Sequence, residues 1–120
     1  MNYRIRTHKV FDKEAKRLGK KYPSLKKDLI ALGNGLLENP LLGVDLGNGF
    51  RKIRLAIASK GKGKSHGARV ITHTQAIVNV NEQGVITLLT IYDKAERETI
   101  SKRDIMVLMA SLDDNDSDLL

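Results

Sequence analysis

Arg51 to Ala58 reads R-K-I-R-L-A-I-A, and no other stretch constrains the fold as much. In an extended strand Ile53, Leu55 and Ile57 fall on one face, and Lys52 and Arg54 fall on the other. A period of two holds Lys52 and Arg54 about 7 Å apart on the same side of a sheet, close to the spacing of successive phosphates along a nucleic-acid strand. The alternation therefore predicts both a strand and a direction in which its charge is aimed.

The charge is not balanced nearby. Gly49 to Arg69 carries Arg51, Lys52, Arg54, Lys60, Lys62, Lys64 and Arg69 with no acid, and the acid-free interval runs from Leu46 to Asn81. Such a concentration repels itself and is tolerated where a polyanion supplies the missing charge. Over the whole chain the formal net charge is +7, but residues 113–120, DDNDSDLL, hold four Asp, so residues 1–112 carry 21 bases against 10 acids. A basic body of this kind points to nucleic acid, the ribosome or an acidic protein as partner. Only Phe11, Phe50, Tyr3, Tyr22 and Tyr92 are aromatic, so phosphate contacts must outweigh base stacking.

At 120 residues, 41% of them hydrophobic, the chain reads as one domain, 1–112, followed by a disordered, solubilising acidic tail at 113–120. The same tail suggests a second idea, folding back over the basic face. Cysteine is absent, which removes disulfides and thiolate metal sites and suits a reducing compartment. No apolar run approaches a bilayer span, and the N-terminus lacks the apolar segment of a secretory signal, so the expected location is the cytoplasm, with no membrane partner.

Taken in order, Tyr3 to Val10 alternates as a short strand with one basic face. Asp12 offers an N-cap to a helix carrying Ala15, Leu18 and Tyr22, which Pro23 ends. Ser24 offers the next cap, and Leu25, Leu29, Leu32 and Leu36 form one stripe that stops at Asn39-Pro40. The outer face of this helical hairpin holds Lys13, Lys16, Arg17, Lys20, Lys21, Lys26 and Lys27, suited either to a large nucleic acid or simply to solvent. LLGVDLGNGF is read as a connector to the basic strand, Phe50 to Ala58. After the loop SKGKGKSHG, two further strands are expected at Ala68 to Val80 and Val85 to Tyr92, turned by NEQG. Ser101 with Asp104 forms a capping-box variant, Ile100 and Ile105 a hydrophobic staple, and Ile105, Leu108, Met109 and Leu112 a stripe. The predicted class is α+β: an N-terminal strand, a helical hairpin, an antiparallel three-strand meander joined by the first strand into one sheet, and a C-terminal helix.

Ala58 to Ser65 fits a loose phosphate-binding loop, but that motif needs a helix to follow, and ARVITHT is strand-like. A metal site is not expected, because His66 and His73 are the only candidate ligands in the acid-free interval and hard cations need oxygen. His8 and His66 are most simply exposed; His73, in alternate register with Arg69, is a functional candidate.

A cationic face without metal has one chemistry available on RNA. The ribose 2′-hydroxyl is an internal nucleophile, so cleavage needs a base for it, cations for the pentavalent phosphate and an acid for the departing 5′-oxygen. Lysine can serve as a base where arginine cannot, and Lys52 lies beside Arg51 and Arg54. Tyr92 and Lys94, at the end of the last strand, are placed to meet it across the sheet as proton-transfer groups; ordinary sheet-end packing is the equal alternative for Tyr92.

RKIRLAIASKGKGKSHGARVI, followed by LLTIYDKAERETIS, resembles the RelE/HigB branch of type II toxins in bacterial toxin–antitoxin systems. The resemblance covers Tyr3 to Leu112 and is most specific from Phe50 to Lys94. It implies a RelE-like fold and metal-independent, translation-dependent cleavage of mRNA in the ribosomal A site, with no cofactor. It also implies neutralisation by a cognate antitoxin. The family's basic strand pair falls on Lys52 and Arg54, and its phosphate-stabilising arginine on Arg69. The family's later arginine and tyrosine fall on Ala95 and Ser101, so Tyr92, Lys94 and, behind them, Arg97 or His73 are the substitutes. The expected catalytic set is Lys52, Arg54, Arg69, Tyr92 and Lys94, with Arg51, Lys60, Lys62, Lys64, His66 and His73 contacting RNA. The rival readings are a ParE-like inhibitor of DNA gyrase and a non-catalytic RNA-binding protein.

Overall fold

The chain begins with a strand that feeds directly into a helix. β1 (Tyr3–Thr7) buries Ile5 and Thr7, and α1 (Lys9–Lys21) starts two residues later, so the strand stops short of Val10. The computed structural model describes residues 3–61, 66–76 and 83–112. The N-cap of α1 is His8 rather than Asp12: its backbone is extended and its ring Nδ1 accepts from the Val10 N–H at 2.9 Å. An imidazole lone pair thus substitutes for the usual hydroxyl or carboxylate oxygen. This also corrects the expectation of an exposed His8, which is fully buried. Asp12 falls instead in the first helical turn, where a carboxylate suits the positive end of the helix dipole.

α1 ends at Tyr22, ahead of Pro23, and α2 (Leu25–Glu38) ends at Asn39, ahead of Pro40, as the two X-Pro pairs require. Leu25, Leu29, Leu32 and Leu36 are all buried. Ser24 holds the N-cap position of α2 but caps nothing; its hydroxyl donates to Asp28 Oδ2 at 2.7 Å and meets Ser59 Oγ at 2.9 Å.

The expected connector contains a strand. β2 (Val44–Gly47) forms a hairpin with β3 (Phe50–Leu55). Gly47, Asn48 and Gly49 all have left-handed backbones, with φ of 89°, 55° and 86°, which the N-G pair accommodates. β3 stops at Leu55, not Ala58, because Ala58–Lys60 forms one turn of 3-10 helix. β4 (Ala68–Gln75) and β5 (Gly84–Asp93) complete the expected antiparallel meander. The part of the long strand expected beyond Ala76 and the first half of NEQG lie outside the described residues, as does the acidic tail at 113–120. The strand order is β1-β5-β4-β3-β2, with β1 parallel to β5 and the other pairs antiparallel. The fold is α+β.

Each face of the sheet has its own cover. α1 and α2 pack on the face presenting Ile5, Ile53, Leu55, Val70, Leu88 and Ile91. α3 (Lys102–Ala110) packs on the other face, against Phe50, Ile71, Leu89 and Tyr92. Leu89 has no partner on β4, and past this bulge the alternation changes phase, so that Leu88 and Ile91 share the first cluster and Leu89 and Tyr92 the second. Ser101 Oγ accepts from the Asp104 N–H at 3.1 Å, and Ile100 and Ile105 share the second cluster, as cap and staple predict. α3 is nine residues long.

Candidate active site

The alternation of β3 places Phe50, Lys52 and Arg54 on the α3 side of the sheet and Arg51, Ile53 and Leu55 on the side of the helical hairpin. Register then assembles the rest. Arg54 pairs with Arg69 on β4, and Arg69 pairs with Tyr92 on β5, so three candidate residues form one row across three strands. At about 4.8 Å per strand the row spans about 10 Å. Lys52 lies one step inward, opposite Ile71, itself opposite Thr90.

Within this row Arg54 is exposed, whereas Arg69 is 7% exposed and its Nη1 donates to the Ala68 carbonyl at 3.1 Å. Lys52 Nζ donates to Thr99 Oγ1 at 3.3 Å. Tyr92 is 5% exposed and its hydroxyl makes no hydrogen bond of good geometry among the described residues. Burial pushes that hydroxyl above its ordinary pKa; Thr99, at the edge of hydrogen-bonding reach, and the charges of Arg69 and Arg97 pull the other way without reversing it. At neutral pH it is a proton donor. Arg97 lies 5.8 Å from the centre of the Tyr92 ring, with its Nε on the Thr99 carbonyl (3.0 Å) and its Nη2 on Asp104 Oδ2 (2.9 Å). Thr99 was not singled out from sequence, because nothing in ERETIS marks which residue of a post-strand loop turns back onto the sheet.

The remaining candidates disperse. Lys94 Nζ donates to the Glu98 carbonyl at 2.8 Å, and Lys94 lines a cleft of about 160 Å³ with Lys60, His66 and Ala95. Gly67 sets this corner: its carbonyl accepts the Lys94 N–H at 3.0 Å, and a Cβ on it would collide with the Leu55 carbonyl. Arg51 is on the opposite face, donating from Nη1 to the carbonyls of Leu41 (2.9 Å) and Gly43 (3.1 Å), where it fastens the start of the β2 hairpin. His66 is exposed beside the same cleft. His73 stacks on Phe50 with ring centroids 4.8 Å apart, four residues and about 13 Å along β4 from Arg69. Burial lowers its pKa against an opposing Asn48 backbone contact, so it is neutral at pH 7. Lys62 and Lys64 lie outside the described residues.

Lys60 is engaged on the helical side of the sheet. Its Nζ donates to Asp93 Oδ1 at 2.7 Å, and the fully buried Asp93 also accepts from Tyr22 Oη (2.6 Å) and the Ala95 N–H (3.0 Å). Burial by itself would raise the Asp93 pKa, but the hydrogen bonds from Lys60, Tyr22 and Ala95 outweigh it and hold the carboxyl down at about 2. Lys60 responds in the matching direction: burial opposes its charge, and Asp93 more than compensates. Sequence reading missed Asp93; an acid at the end of an otherwise apolar strand was the available signal.

Among the described residues no group of three His, Cys, Asp or Glu side chains could hold a metal ion, and no helix is long and apolar enough to cross a membrane. No family model matches the chain.

Proposed function

We propose that this chain is a ribosome-dependent mRNA interferase of the RelE/HigB kind, held in check by a cognate antitoxin and acting in the cytoplasm on mRNA in the ribosomal A site. The observation that supports it is the Arg54–Arg69 pair. Like charges placed directly opposite on neighbouring strands destabilise a sheet, and an anion seated over both converts that cost into binding.

With a phosphate over Arg54 and Arg69, Tyr92 lies at one end of the row and Lys52 beside it. Lys52, reacting as the neutral amine, takes the proton from the 2′-hydroxyl, whose oxygen attacks the adjacent phosphorus. The arginines stabilise the added negative charge on the phosphoryl oxygens, and Tyr92 or Lys94 gives a proton to the departing 5′-oxygen. The products are a 2′,3′-cyclic phosphate and a free 5′-hydroxyl. Because the nucleophile belongs to the substrate, the row together with Lys52 beside it supplies a group for each proton and charge.

The test is primer extension on a reporter mRNA after pulsed expression, with translation running and with translation blocked. Cleavage inside the reading frame that requires translation, and that falls about 10²-fold or more in each of Lys52→Ala, Arg54→Ala and Arg69→Ala, is expected. Growth arrest with intact mRNA would overturn the reading and move attention to a target such as gyrase.

A further inference from the structure

α1 carries a second cationic surface that the cleavage site does not use. Lys9, Lys13, Lys16 and Lys20 recur at intervals of four, three and four, and all four are exposed. At 100° per residue they occupy an arc of about 60° on the helix, opposite Phe11 and Leu18, which face the core. The stripe is about 16 Å long. None of the four side chains makes an ion pair or hydrogen bond with another described residue, while the flanking Arg17 and Lys21 are engaged with Glu14, Glu96 and Asp93. Glu14 from α1, with Asp93 at the end of β5 and Glu96 just after it, therefore neutralises the flank and leaves the four lysines of the stripe without a paired acid.

We infer that this stripe is a docking surface for the phosphate backbone of double-stranded RNA, separate from the strand that is cut. Its direction requires a second RNA segment: it faces away from the sheet, on the hairpin side, with a helix about 10 Å thick and the sheet itself between it and the Arg54–Arg69 row. A straight row of lysines without aromatic neighbours offers point charges to a regular backbone and nothing to unstacked bases. An anionic bilayer is the poorer fit, because the apolar face that a surface helix would insert is already buried against the sheet. The inference rests on the proposed activity only in naming RNA as the polyanion.

The experiment compares Lys9→Ala/Lys13→Ala/Lys16→Ala/Lys20→Ala with a control of equal charge off the stripe, Lys26→Ala/Lys27→Ala/Lys102→Ala/Arg103→Ala. Binding of a blunt RNA duplex is titrated from 50 to 200 mM salt. Each phosphate contact contributes about 0.9 to the slope of log affinity against log salt. The stripe variant should lose about 3 to 4 from that slope, with about 10²-fold weaker binding at the low-salt end, and the control less than 1. Equal losses in the two variants, or none in the first, would overturn the inference. So would tighter binding of the parent to phosphatidylserine vesicles than to the duplex. Lys52→Ala is run alongside: if it cuts mRNA like the parent while the stripe variant loses the duplex, the cleavage reading fails and the docking surface stands.

Discussion

Replacing Asp93 by Asn removes the charge from a fully buried carboxylate that accepts from Lys60, Tyr22 and the Ala95 N–H. The carboxyl is held at about 2 against an ordinary value of 3.8, and at 1.36 kcal/mol per pKa unit this corresponds to about 2 kcal/mol of stabilisation. The folded value lies below the unfolded one. The contribution is therefore complete above about pH 4 to 5 and is lost as pH falls through about 2. The amide also leaves the Lys60 ammonium, with 14% of its side chain exposed, without its carboxylate. Breaking a buried pair costs about 3 to 5 kcal/mol, and because Lys60 has a partial route to solvent the lower end applies, about 3 kcal/mol at pH 7. Urea unfolding followed by circular dichroism at pH 7, 5 and 3 measures both quantities. The deficit of the variant should shrink by about 1 kcal/mol between pH 5 and pH 3, because over that interval the unfolded carboxyl takes up a proton while the folded one, held at about 2, stays ionised. Adding Lys60→Met to Asp93→Asn should recover part of the loss. A deficit below about 1 kcal/mol at pH 7, or one independent of pH, would refute the account of Asp93 as a charge-bonded centre.

Gly67→Ala should destabilise by about 2 kcal/mol or more, because the added methyl meets the backbone carbonyl of Leu55, which cannot move without parting β3 from β4. An unchanged melting temperature would show that the corner is looser than this. Tyr92→Phe deletes only a hydroxyl that lacks a good partner, so stability should stay within about 1 kcal/mol while translation-dependent cleavage falls about 10²-fold. Cleavage at the parent's rate would remove Tyr92 from the proton-transfer groups.

Several parts of this structure are legible locally. Helix ends follow from Tyr22-Pro23 and Asn39-Pro40 because proline forbids the helical conformation to the residue before it, and α3 begins where Ser101 can cap it. The strand faces follow from alternation alone. Local reading failed where a residue took an unusual part. An imidazole caps α1, Ser24 turns its hydroxyl to Asp28 and Ser59 instead of to a backbone N–H of α2, and a G-N-G turn built β2 inside an apparent connector.

The candidate site divides along the same line. Alternation in R-K-I-R-L-A-I-A determined that Lys52 and Arg54 share a face, because a strand has a period of two whatever surrounds it. It also separated them from Arg51, which follows β3 to the other side and secures the hairpin. Only the tertiary structure decided which cations stand together. The β3–β4–β5 register sets Arg54, Arg69 and Tyr92 in one row, and the loop after β5 brings Thr99 to Lys52 and Arg97 to Tyr92. It likewise turned Lys60, one lysine among several in a basic loop, toward a buried carboxylate 33 residues away. The physical reason is that periodicity is a property of neighbouring peptide units, whereas register and ion pairing depend on how distant segments pack, and charge of one sign carries no information about which partner it will meet.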